Sequence, residues 1–315
     1  MPFPTPSHGV ISAARCAALV AATLLLIPSA AAANRPHGPR WLGEQNREGS
    51  QDRQDGPDQQ GGPPMPPPFM NLKGSVQDRT IGPLRLGEVY RGIDTDKGAS
   101  LHNVTITGID ARSLQRSGIR IRGDAIGVRI QNFHLQMDPV PQTSPNLPSG
   151  IAIGVGQNIS ISDGTISGFQ MVRVPGKYTN GDGIASERTV DGLSITNVSS
   201  TDNSDGGFDL KSQNTKLDGL TSERNGRNYR LWGTVDAGTL TSSDPRDAHI
   251  WVGQGADIHI RHLIASSSTD APLIKIGGPS RITIDRCTLH LQPGTQIVGE
   301  HAEEAEVHLG PGCSR

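Results

Sequence analysis

The sequence is short of most things a globular core is built from. Aromatic residues make up 3% of the chain and hydrophobic residues 34%, so a core of packed rings is excluded. Charge of one sign is missing too. The formal net charge is −2 over 315 residues, which leaves no footprint for nucleic acid or an anionic membrane surface. No apolar run after residue 33 approaches the ~20 residues that a membrane span needs, so no span is expected in the mature chain. From about residue 72 onward no apolar period of 3.6 residues is found, which argues against helices. Turn formers are plentiful instead, with 39 glycines and 23 prolines, yet fewer than wholesale disorder would bring.

Residues 1–33 read as a secretory signal: Arg15, then the apolar run "CAALVAATLLLIP", then small residues up to Ala33. The mature chain is therefore expected to be secreted or periplasmic. Residues 34–70 are rich in Pro, Gln, Gly and Asp with little apolar content, the composition of a disordered linker. Residues 71–315 form the folded domain. Export would remove Cys16 and leave Cys287 and Cys313. An oxidising compartment permits a bridge between them, and a buried free thiol at Cys287 is an equal alternative.

What fills residues 71–315 is a set of short alternating segments. One set, marked by Ile106, Ile130, Ile161, Ile195, Leu217, Leu240, Ile260, Ile284 and Val307, recurs at steps of 20 to 34 residues. A second set interleaves with it, and Leu210, Leu231, Val252 and Ile276 step by 21, 21 and 24. Two interleaved strand columns at a shared period of about 22 residues predict an all-β solenoid, a right-handed parallel β-helix of roughly eight or nine coils. Two coils are longer. Their extra residues, "QMDPVPQTSPNLP" and "QMVRVPGKYTN", precede the second column, and long loops beside a rigid scaffold are where sites concentrate.

The period also places side chains. With Leu210, Leu231 and Val252 inward, Asp209, Arg230 and Trp251 point outward. Asp182 and Asp205 occupy the turns before successive outward positions, so Asp182, Asp205 and Asp209 are expected to share one patch. Arg230 lies one rung, ~4.8 Å, from Asp209. Lys211 and Trp232 share that face. Three carboxylates without a fitting His or Cys form a hard oxygen site, for which calcium is the natural occupant and zinc is not. The plainer reading is an Asp209–Arg230 cross-strand ion pair beside turn-forming aspartates.

The stretch "TNGDGIASERTVDGLSITNVSSTDNSDGGFDLKS" resembles the core of pectate lyases of the ninth polysaccharide lyase family, as does the later "NYRLWG". The resemblance implies a pectin lyase-like β-helix that cleaves a uronic-acid polymer by β-elimination. It implies calcium ligation by Asp182, Asp205 and Asp209, and puts Arg230 at the position of the catalytic lysine. Ser204 stands where that family has a further calcium aspartate. On this reading Lys211, Trp232, Trp251 and Tyr178 are substrate-binding, the aromatics as exposed rings for sugars to stack on, and the partner is an acidic polysaccharide. Two alternatives remain open: a hydrolase of the polygalacturonase type using paired carboxylates, and a non-catalytic polysaccharide-binding β-helix.

Overall fold

The computed structural model describes residues 66–138, 147–171 and 179–314. All lie in the second of two compact units, Pro57–Arg315. Among them there is no α-helix, only a 3-10 turn at Ala302–Glu304, and 23 strands form one continuous sheet whose pairings are all parallel. This is a parallel β-solenoid of about nine turns. Each strand bonds to its equivalent one coil on, so residues 20 to 34 positions apart become neighbours.

The inward rows are aliphatic because alternate residues of each strand face the same side. In the first column Ile106, Ile130, Ile161, Ile195 and Leu217 stack in register. In the second, Leu210, Leu231, Val252 and Ile276 stack as their spacing predicts. Beside them run Ile93, Ile119, Ile151, Ile184, Phe208, Tyr229, Ile250 and Ile274, with the Phe208 and Tyr229 rings stacked at 5.3 Å. Two expected row members are displaced. Leu217 pairs with Ala237, not Leu240, and Leu240 stacks between Leu220 and Leu263. Val307 pairs with Ile282, and Leu309 with Ile284. Alternation persists along these strands, so more than one phase buries an apolar row, and only the turn before the strand decides between them.

A polar ladder runs inside the turns. Asn203 and Asn225 bond to each other, and Asn225 to Asn228, with Ser200, Ser222 and Ser242 taking the remaining amide groups. His249 ends the ladder on Ser242, and burial pushes its imidazole down to about 4, so it is neutral. The C-terminal end of the stack is closed covalently: Cys287 and Cys313 form a disulfide, which resolves the two options left open by the sequence.

Candidate functional site

The outward row of the second column is Asp94, Arg120, Ala152, Ala185, Asp209, Arg230, Trp251 and Lys275, each one rung from the last. A parallel row holds Asp182, Gly206, Arg227 and Ala248. The expected gathering of Asp182, Asp205, Asp209 and Arg230 is therefore built by register alone, since none of the four is near another in sequence except Asp205 and Asp209.

Arg230 is the hub. Its Nη1 donates to Asp205 Oδ2 at 3.3 Å and to Asp209 Oδ2 at 3.1 Å. Its guanidinium lies 5.0 Å from the Trp232 ring centroid and 5.1 Å from that of Trp251, close enough for cation–π attraction. The Trp232 indole N–H donates to Asp209 Oδ1 at 2.9 Å. The two indoles lie down along the face because the next coil presents glycine beneath each: a Cβ on Gly253 or Gly277 would strike the Trp232 or Trp251 ring at 2.4 and 2.3 Å.

Asp182 differs from its neighbours. It is fully buried. Its Oδ1 accepts the Gly206 N–H at 2.7 Å, while its Oδ2 has no partner. Burial, reinforced by the negative charges of Asp205 and Asp209, holds its carboxyl well above the usual carboxylate range, which favours its neutral, protonated form. Asp205 is also pushed up by burial, against the opposing pull of Arg230 and Arg227. Its side chain is 11% exposed, against 1% for Asp209.

Several expectations change in detail. Trp232 and Trp251 are not exposed stacking platforms: they are 7% and 6% exposed, with their rings in contact at a tilt of 55° and arginine guanidiniums over them. Lys211 is buried against Glu187 at 3.3 Å. Tyr178 lies outside the described residues. Ser204 fastens its turn, donating to the Asn180 carbonyl and accepting the Met171 N–H. A carboxylate there would face a carbonyl oxygen.

The donor set does not fit calcium. Both oxygens of Asp209 already accept bonds, from Trp232 and Arg230, and both oxygens of Asp205 face Arg227 or Arg230. Asp182 alone keeps an unused oxygen. Among the described residues the one group of three acidic, His or Cys side chains spaced for an ion is His301, Glu303 and Glu304, on the C-terminal turn. The calcium expectation counted carboxylates and omitted the cations that the next coil brings.

Two members of the network escaped the sequence reading. Arg227 bonds Asp205 and, at 2.8 Å, Asp247, and Lys275 closes on Asp247 at 3.1 Å. The signal was present. Arg227 sits in register with Gly206, and Asp247 follows it by about one period.

No protein-family profile matches the chain, and no curated protein sequence matches it. Two solved structures show a distant likeness. The DFA-IIIase of Arthrobacter chlorophenolicus A6 without its lid overlaps 79% of this chain and 70% of its own, at 11% identity and a TM-score of 0.46. The same enzyme in complex with DFA-III overlaps 77% and 60%, at 11% identity and a TM-score of 0.37. At that identity and overlap neither likeness bears on chemistry.

Proposed function

We propose that the chain is an exported enzyme that cleaves a glycosidic bond of a polysaccharide by acid–base chemistry, with Asp182 as the proton donor. The observation that carries this reading is the fully buried Asp182, with an unpartnered Oδ2 beside two further carboxylates, in surroundings that favour its protonated form. Environments that push neighbouring carboxyls apart in pKa separate an acid from a base. Asp182 Oδ2–H gives its proton to the leaving glycosidic oxygen as the C–O bond breaks. Asp205, at the more open edge, takes a proton from the water that adds to the sugar. Arg230 keeps Asp205 and Asp209 in place and balances their charge. The Cys287–Cys313 bridge supports a working place outside the reducing cytoplasm.

β-Elimination with Arg230 as base is less well supported. Its guanidinium faces two carboxylates, which favours the charged form, and a protonated guanidinium accepts no proton. No step is routed through calcium.

The test is product chemistry on a panel of acidic and neutral polysaccharides, with and without a chelator. New reducing ends without an absorbing double bond, insensitive to the chelator, are expected. Asp182→Asn should lower the rate ~10²–10⁴-fold, the usual range for loss of a general acid. An unsaturated, chelator-sensitive product would replace this reading with the lyase. Binding without turnover would replace it with a non-catalytic module.

A further inference from the structure

The row that carries Asp182 runs on towards the N-terminal coils. Arg91, Ser117, Ser149 and Asp182 each stand one rung from the next, a span of three rungs, ~14 Å. Each is followed by a glycine: Gly92, Gly118, Gly150 and Gly183. The coils close on one another at this corner. A Cβ on Gly118 or Gly150 would lie 2.6 Å from the carbonyl oxygen of the next coil's glycine. The side chains before the glycines lie on the side of Asp94 and Asp209: Arg91 donates to Asp94 at 2.7 Å, and a Cβ on Gly206 would meet that of Asp209 at 3.2 Å.

Buried polar atoms normally have a partner. Three on this row have none: Arg91 Nε, Ser117 Oγ and Asp182 Oδ2. A fourth is Asn180 Oδ1, two residues before Asp182, whose amide nitrogen is fixed on the Pro148 carbonyl at 3.1 Å. These four residues are between 0% and 8% exposed. Ser149, between Ser117 and Asp182, is buried too. An unpaired buried polar group costs free energy, and here the cost recurs along one line that ends at the proton-donating carboxyl. Beside that line Ala152 and Ala185 take the outward positions of the Ser149 and Asp182 coils, and their small side chains leave a ligand room to approach.

The mixture of atoms selects the ligand. An anion would face Asn180 Oδ1 and Asp182 Oδ2 at one end, while the charge of Arg91 at the other is already met by Asp94. A cation would face Arg91. A hydroxyl both donates and accepts, so a run of hydroxyls can take a bond from Arg91 Nε, exchange bonds with the serines and give one to Asn180 Oδ1.

We propose that Arg91, Ser117 and Ser149 form a subsite for the hydroxyl groups of a neutral glycan that lies along this row, with the bond to be cleaved at Asp182. This rests on the glycan-cleaving reading for its Asp182 end. It specifies an uncharged substrate, in place of the uronic-acid polymer that the sequence resemblance implies.

The experiment is affinity electrophoresis of the full chain in gels containing dextran, xylan, galactan or polygalacturonate. The chain carries Asp182→Asn, so that binding is read without cleavage, alone or together with Ser117→Ala or Ser149→Ala. At least one neutral glycan should retard the parent, and polygalacturonate should not. Each serine variant should weaken that retardation about two- to tenfold, the range for one hydrogen bond between neutral groups. A melting curve should place Ser117→Ala level with its parent or above it, because its hydroxyl has no bond to lose. Ser149→Ala carries the same reading should Ser117→Ala melt early. Unaltered binding in both serine variants overturns the subsite, as does a Ser117→Ala that melts earlier and binds equally well, since its hydroxyl is then structural. Polygalacturonate retarding the chain as much as any neutral glycan, or no neutral glycan retarding it, overturns the uncharged substrate. Failure of Asp182 as proton donor is seen separately, in the rate of Asp182→Asn against wild type.

Discussion

The two charged clusters on the outward row are near opposites. At Asp94, three guanidiniums share one carboxylate. At Arg230, three carboxylates gather around a cation that bonds two of them, and Arg227 shares Asp205. Both clusters are buried, yet they respond to pH differently. In the acid cluster, burial and the neighbouring charges favour the neutral form of Asp182. The basic cluster has no such outlet, because a guanidinium in a protein does not lose its proton. One cluster can change its charge with pH, and the other keeps it.

The sharpest way to break that contrast is to remove each hub. Arg230→Gln leaves Asp205 and Asp209 buried without their shared cation, and should lower stability by about 3–5 kcal/mol, the usual effect of breaking a buried pair by removing one partner. Chemical denaturation at neutral pH reads it, and acidification should restore part of the loss by protonating the two carboxylates. Asp94→Asn at the opposite pole should lower stability by a smaller amount, about 2–3 kcal/mol, since Arg122 can turn into solvent while Arg91 cannot. Here acidification should restore nothing.

The pH-dependent effect is the most diagnostic of protonation. Asp182 has a raised folded pKa, so between the unfolded value and the folded one the native state binds more protons than the unfolded state. Stability from this group is then full below the unfolded pKa and is lost as pH rises towards the folded one. Asp182→Asn carries a neutral group at every pH. Its stability should match that of the wild type in mild acid and exceed it increasingly towards alkaline pH, by about 1.4 kcal/mol for each unit by which the folded pKa is raised. Equal pH profiles for the two proteins would mean that Asp182 is ionised when folded.

Much of this was legible in the chain. The rows through Leu210 and Asp209 follow from period alone, since a side-chain alternation of two leaves little choice once coils stack. Where alternation ran on, as in "TVDAGTLTSS", the phase was undetermined and Leu240 fell in the wrong row. The aspartate cluster was legible, but its counter-charges were not. Arg227 lies a residue before the inward-facing Asn228, in a stretch where the strand bends out of the turn, and simple alternation does not say which way it points. The buried indoles were readable only through what the following coil lacks, the side chains at Gly253 and Gly277. The basic cluster hides because its members come from segments of the first coils that no local motif joins.

The bridge from Cys287 to Cys313 gives the stack a direction. In a solenoid each winding leans only on the one above and the one below, and here the last is tied down while the first strand of the described residues, Met70–Leu72, pairs among them with one strand. Heat or pulling force should then peel the molecule from its N-terminal end towards the knot, passing the arginines before it reaches Asp182.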